Sequence, residues 1–446
     1  MARPSNQDIL NAVLAGAKAA GADAADALLV ENVSASVSYR LGKLEDVERS
    51  ESYDLGLRVF VGQKVAFISS TDFSKESLAQ LPGRALAMAR LAPEDKFAGL
   101  APRERLAKTI LDLDIEDKNE PSAETLVDWA RATEGAAMAV PGVTNSEGGG
   151  ASFSRSAVAL ATSEGFYGTY AGTSSGIGVA VIAGEGAGME RDYDQASARH
   201  VADLKSAEEI GRKAGELAVK RLNPRKVKSQ AVPIVYDPRV SAGIVGHLAG
   251  AISGSSIARG VSFLKDRLGK QIFSPAINIV DDPHRLRGMR SKPFDGEGVA
   301  NRRWTLIENG VLQTWLLDCA SAKQLGLETT GHAARGTSGP PMPSVTNLYM
   351  EAGTRTPEAL IADIREGFYV TELIGMGVNG VTGDYSRGAA GFWIENGQIA
   401  YPVSEITIAG NLKEMFMHLT AANDLTFEHG TNAPTLRIEG MTVAGA

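Results

Sequence analysis

A histidine on a glycine-rich helical stretch is one arrangement that holds a hydrolytic metal. Ser241–Gly260, SAGIVGHLAGAISGSSIARG, carries such a residue in His247. A zinc site needs convergent His, Cys, Asp or Glu side chains. Helical partners of His247 fall three and four positions away. Those positions are Gly243, Ile244, Gly250 and Ala251, none of which can ligate. The remaining histidines are His200, His284, His332, His418 and His429, and no two of the six lie within ten residues of each other. Asp281-Asp282-Pro283-His284 reads as a surface turn with solvated charge, and Glu428-His429 as a loop near the C-terminus. A metal site assembled from residues distant in sequence is the alternative that local spacing leaves open.

Three other stretches have the form of chemical motifs. Gly375-Met376-Gly377-Val378-Asn379-Gly380 fits G-x-G-x-x-G. A dinucleotide site would need a helix after it, to bring phosphate to a helix N-terminus. VTGDYSRGAAGFWIENG follows instead and reads as turns and strands, so a glycine-rich loop is expected. Gly172-Thr173-Ser174-Ser175-Gly176 fits G-x-S-x-G. A nucleophile elbow also needs a following helix, and the strand-like IGVAVIAG points to a β-turn. Asp384-Tyr385-Ser386-Arg387 is expected in a glycine-rich loop between strands, where an arginine can grip a carboxylate with its planar fork.

The elements that must position these residues follow from periodicity and punctuation. A helix is expected near Gln7–Ala20, then β-rich sequence to about Ser70, helices at Lys75–Leu91 and Ala123–Val140, three or four strands over 144–181, and a helix at Leu204–Leu222. Ser74 is an N-cap candidate, and Pro121-Ser122 opens the third helix. Arg103–Glu120 is charged and links or edges the core. The proline-punctuated NPRKVKSQAVPIVYDPRV marks a boundary, giving domains 1–225 and 226–446. Beyond the His247 stretch the second half is strongly β, with Asn309-Gly310 and Asn396-Gly397 as hairpin turns. Together these elements predict an α+β fold of two domains, each with a large, mostly antiparallel curved sheet packed with helices. Glycine within β-like runs, among 49 glycines in all, supports curvature.

Bulk properties narrow the function classes. The chain has 446 residues, 22% of them charged, with a formal net charge of −8, so nothing basic marks a nucleic-acid surface. No stretch approaches the roughly 20 apolar residues that cross a bilayer. Cys319 is the only cysteine, which excludes an internal disulfide and fits a reducing compartment. The polar, amphipathic N-terminus does not read as a signal peptide, so a cytoplasmic location is expected.

Four stretches carry a family resemblance: ESYDLGLRVFVGQKVAFISSTDFSKESL, MERDYDQASARHVADL, GHAARGTSGPPMPSVTNLYMEAG and GVTGDYSRGAAGFWIENGQIAYPVSEITIAGNL. In this order they resemble the TldD/PmbA family, specifically its PmbA/TldE branch. The resemblance implies a heterodimeric zinc metallopeptidase in which a TldD subunit bears an H-E-x-x-x-H helix and a C-terminal cysteine. It also implies an enclosed chamber that admits extended or unfolded peptides and small labile proteins. With RGVS (Arg259–Ser262) setting the register, the six motif positions fall on Val245-Gly246-His247-Leu248-Ala249-Gly250. Val245 and Gly250 then stand where ligands would, and Gly246 where the catalytic glutamate would; NDLTFEHGTNAPTLRI supplies no cysteine. The resemblance therefore implies no catalytic or metal residue and no cofactor in this chain, with zinc in a TldD-like paralogue. The partners implied are that paralogue and a peptide, or a second copy of this chain when it is alone. Neither nucleic acid nor membrane is expected. Arg335, Asn347, Tyr349, Asp384 and Arg387 are the implied chamber or peptide contacts. A self-sufficient peptidase with an unconventional metal site, and a regulatory binding protein without proteolysis, are the alternative readings.

Overall fold

In a computed structural model, residues 4–445 are described; the first residues of the expected N-terminal amphipathic segment lie outside that range. Helix α1 (Asn6–Ala20) starts at Ser5, whose hydroxyl caps the Asp8 amide, and buries Ile9, Leu10 and Val13. Three strands follow: β1 (Ala24–Arg40), β2 (Lys43–Val61) and β3 (Lys64–Ser70). After α2 (Lys75–Leu91) and α3 (Ala123–Met138) come β4 (Val143–Thr162), β5 (Tyr167–Ala183), β6 (Glu190–Ala198) and α4 (Ala207–Lys220). The six strands form one sheet in the order β3-β2-β1-β4-β5-β6, antiparallel throughout. The region expected to hold three or four short strands is thus spanned by β4 and β5, 20 and 17 residues long. Small residues and bulges let two long strands bend rather than break.

The Gly172–Gly176 stretch is a correction to the turn expectation. It lies inside β5, paired to β4 on one side and partly to β6 on the other, with Thr173 and Ser175 each 1% exposed. Its serines are ladder residues.

The second half begins with β7 (Gln230–Tyr236), α5 (Pro238–Ala251) and α6 (Gly254–Ala258). The single helix expected over Ser241–Gly260 is broken at Ile252–Ser253, so it is two. β7 sits within a six-stranded sheet. It runs parallel to Glu366–Ile374, which pairs with Asp384–Glu395 and then Gln398–Asn411; on its other side it is antiparallel to Leu436–Ala444. Thr407–Ala409 also pair with Thr442–Ala444, which closes the sheet on itself. Asn309-Gly310 and Asn396-Gly397 have positive φ, as tight hairpins require. The main core joins this sheet to α5 through Ile234, Tyr236, Val245, Leu248, Phe368 and Ile408. The observed class is α+β with large antiparallel sheets, as the sequence predicts. No described helix is long and apolar enough to cross a membrane.

The two halves are tied together along a broad seam. Leu106 bridges Val299, and Arg105 donates to the Thr329 carbonyl at 2.8 Å. Arg287 pairs with Asp114 and Asp203 at 2.6 and 2.9 Å. Gly56 on β2 lies against Thr337: a Cβ there would sit 2.2 Å from the Thr337 carbonyl oxygen, so the crossing needs glycine.

Candidate functional site

α5 is built to hold a fixed position. Asp237 caps the Arg239 amide and Pro238 opens the first turn. Ile244, Val245 and Leu248 are buried in the core. The opposite face carries Gly243, Gly246 and Gly250, and a Cβ built at any of them meets nothing within 4 Å. Gly246 and Gly250, one turn apart, line a cavity of about 340 Å³ with His247 and Ala251. Val261 and Phe263 close one side; Met376 and Val378, with Arg387 and Leu412, close the other.

The cavity's polar groups are few. His247 packs edge-on against Tyr385, ring centroids 5.8 Å apart. Burial first, and then the Arg387 guanidinium, push its pKa below the usual imidazole value. His247 is therefore a neutral ring at neutral pH. Arg387 donates through Nε to the Ile374 carbonyl at 3.3 Å, and among the described residues no carboxylate pairs with it.

The residues do not fit a zinc ion. The positions that the resemblance aligns with the motif's ligands and base hold a buried valine and two glycines, and among the described residues no three His, Cys, Asp or Glu side chains converge as a metal site. The other histidines are engaged or exposed. His332 is 2% exposed, bonds Thr330 and lies 3.4 Å from Asp281; Asp281 is satisfied by the Thr346 amide and hydroxyl. His284 bonds Asn301 and His200 bonds the Asp114 carbonyl, while His418 and His429 are exposed.

The five residues implied as chamber contacts are dispersed. Arg335 is an interior residue: its side chain is 3% exposed and bonds Asp26 of β1 at 2.7 Å across the seam. Asn347 is 1% exposed and accepts from the Arg290 amide while donating to Asp282 and Ser291, which fixes a loop. Neither offers a surface to a peptide in this chain. Tyr349 is half-buried, stacked edge-on with Phe427 and near Arg303. Asp384 and Arg387 correct the loop expectation, since both lie on the strand Asp384–Glu395. Alternation on that strand turns them to opposite faces. Asp384 accepts from Thr382 and Asn411, and Arg387 lines the cavity. The loop is the preceding segment, and the G-x-G-x-x-G stretch falls there with no helix after it.

Sequence reading missed a buried ionic cluster under the seam. Asp26 is held by Arg335 and by Arg58 of β2, and Arg58 also lies 3.6 Å from Glu297. Burial opposes the Asp26 charge, yet the two arginines outweigh it and keep the carboxyl below its usual range. Glu297 has less help: burial, with Asp295 nearby, pushes it up to about 7. Cys319 donates its amide to Glu297, and its thiol is pushed far up, first by burial and then by that carboxyl. Charged residues separated by hundreds of positions gave no local signal.

Comparison with known proteins gives a consistent family. Sequence models of the PmbA/TldA metallopeptidases match residues 25–89 as domain 1, 116–222 as the central domain and 229–445 as the C-terminal domain. The chain is 38% identical to the metalloprotease PmbA of Escherichia coli O157:H7, over 95% of this chain and 92% of that protein. It is 36% identical to a PmbA homologue of Haemophilus influenzae, over 92% and 90%. A crystal structure from Bacteroides thetaiotaomicron, of a candidate modulator of DNA gyrase, superposes with a TM-score of 0.92 at 27% identity, covering 99% of both chains. TldE of Thermococcus kodakarensis shares the fold at 21% identity, with a TM-score of 0.88 over 98% of this chain and 99% of that one.

Proposed function

The chain belongs to the PmbA/TldD metallopeptidase family, and from that premise we propose that it is a non-catalytic subunit of a TldD/TldE-type heterodimeric peptidase. The observation that carries this reading is the α5 face. At the positions of the family's metal motif the chain has Val245 in the core and Gly246 and Gly250 on an open cavity. A hydrolytic zinc needs about three protein ligands, an open position for water, and a carboxylate to take the proton of that water. α5 carries one side chain of a ligating type, His247, and no carboxylate or second ligand beside it, so hydrolysis is assigned to a zinc-bearing paralogue. This subunit then supplies a wall of the peptide-binding space. Exposed Ile374 and Met376 beside the cavity suit contact with an extended, apolar chain. The setting proposed is the cytoplasm.

The test is zinc content and peptidase activity on one preparation, with and without a TldD-like paralogue. The expected result is no stoichiometric zinc and no turnover alone, and turnover in the mixture above that of the paralogue. Stoichiometric zinc with chelator-sensitive cleavage by this chain alone would refute it and restore the unconventional-site reading.

A further inference from the structure

The cavity on α5 has a composition that selects its ligand. Most of its wall is apolar: Ala251, Val261, Phe263, Met376, Val378 and Leu412. One cation, Arg387, enters it, and no acidic side chain lines it. The only bond of the Arg387 side chain within the described residues is from Nε to the Ile374 carbonyl, which leaves both terminal nitrogens available. The nearby Asp384 faces away and is satisfied by Thr382 and Asn411. His247 is a second donor at the wall, and neither of its ring nitrogens has a hydrogen-bond partner among the described residues. The floor is bare helix at Gly246 and Gly250, so a ligand can approach the α5 backbone closely.

We propose that this cavity binds the C-terminal residue of an extended peptide, with its carboxylate on Arg387 and His247 and an apolar side chain against Phe263, Val261 and Leu412. The argument is one of charge and size. An uncompensated guanidinium beside apolar walls is complementary to a carboxylate, which it grips through two parallel N–H bonds. A free amino acid would also bring an α-ammonium, for which the lining has no carboxylate, and burying a charge without a counter-charge is costly. A peptide C-terminus has a neutral amide there instead. The volume of about 340 Å³ is at the small end for ligand sites, which run from about 300 Å³ upward, and suits one or two residues. Beyond the mouth the chain meets exposed Met376, Ile374 and Val381, 91%, 59% and 57% accessible, an apolar path for the preceding residues. In place of a metal, the α5 face would then hold the end of a peptide. The proposal rests on the reading of this chain as a peptide-handling subunit, but it is tested on the chain alone, without any peptidase assay.

The experiment measures binding of a fluorescein-labelled hexapeptide ending in leucine to the full chain by fluorescence polarisation. The peptide is prepared as the free acid and as the C-terminal amide. N-acetyl-leucine, free leucine and decanoate serve as competitors. Arg387→Gln and Gly250→Leu are made alongside, with thermal unfolding to establish that each remains folded. The expected result is that the acid binds at least about tenfold tighter than the amide, as loss of a charge-assisted pair dictates. Arg387→Gln removes that difference, Gly250→Leu weakens the acid at least about tenfold by filling the cavity, and N-acetyl-leucine competes better than free leucine. Equal binding of acid and amide, no binding of either at millimolar chain, or discrimination that survives Arg387→Gln overturns the proposal. Decanoate competing better than N-acetyl-leucine overturns the peptide assignment in favour of a fatty acid. Acid-selective binding by a chain that adds nothing to a paralogue's turnover would instead overturn the subunit reading and leave the pocket standing.

Discussion

Replacing Arg335 by methionine tests whether that residue belongs to the seam between the halves or to a peptide surface. Its Nη1 lies 2.7 Å from Asp26 Oδ1 and its side chain is 3% exposed. Removing one partner of a buried pair commonly costs about 3–5 kcal/mol. Two features lower the figure here. Asp26 keeps Arg58 on its other oxygen, and Arg335 itself carries a buried Nε without a partner, whose removal returns about 1–3 kcal/mol. We therefore expect a loss of about 2 kcal/mol. Asp26→Asn alone should cost a similar amount or more, because it leaves Arg58 with only Glu297 and Arg335 with no carboxylate partner among the described residues. The double variant restores the balance of charge, one arginine against one carboxylate, and should be less destabilised than the sum of the singles by about 1–2 kcal/mol, a coupling of the usual size for one network. Urea unfolding is followed by far-UV circular dichroism and by tryptophan fluorescence, which reports chiefly on the second half through Trp304, Trp315 and Trp393. A loss below about 0.5 kcal/mol, the range of surface substitutions, or strict additivity in the double variant, would refute the buried-network reasoning.

Other outcomes can be checked directly. Because Glu297 titrates near 7 when folded, above its unfolded value of 4.5, the folded state binds the extra proton. Stability should fall as pH rises from about 4.5 to 7 and level off above, by at most about 3 kcal/mol; Glu297→Gln should flatten that slope in urea titrations across the window. The Cys319 thiol, pushed up by burial and by Glu297, should be unreactive to a thiol reagent at pH 8 in the folded chain and react stoichiometrically in denaturant. Gly246→Ala should raise the melting temperature, since the site is helical and open and alanine exceeds glycine there by about 1 kcal/mol.

The sequence made most of the fold legible because its signals were local. Ser74 and Ser122 cap the helices expected to begin after them. Both Asn-Gly pairs turn as their conformational freedom dictates. Strand lengths were harder to read. Glycine and serine in β4 and β5 look like punctuation, yet each of these strands pairs with a neighbour on both sides, so the ladder continues through them. The candidate site was legible in part. The positions that the resemblance aligns with a metal motif fall on α5, and the structure shows what stands around them. Arg335 and Asn347 were indicated only by the family resemblance, which does not say what surrounds them. Their partners, Asp26, Asp282, Arg290 and Ser291, come from elsewhere in the chain, and burial is decided by those partners. The same long-range assembly hid the Asp26–Arg58–Glu297 cluster.

The glycines of α5 are the feature that local stability least explains. Gly243, Gly246 and Gly250 each cost a helix interior about 1 kcal/mol relative to alanine, and none is forced by a neighbour, since a Cβ at each meets nothing within 4 Å. Contrast Gly254 on α6, where a Cβ would fall 2.5 Å from the Ser321 hydroxyl and 2.7 Å from Leu317. There the packing requires glycine. On α5 the helix is kept by its Asp237 cap and by Ile244, Val245 and Leu248 on the buried face, so the open face is free of structural duty. Larger residues at Gly246 and Gly250 would narrow the cavity and distance a ligand from both the helix backbone and Arg387. A helix that forgoes stability on the one face bordering a cationic, apolar cavity is shaped by what enters that cavity.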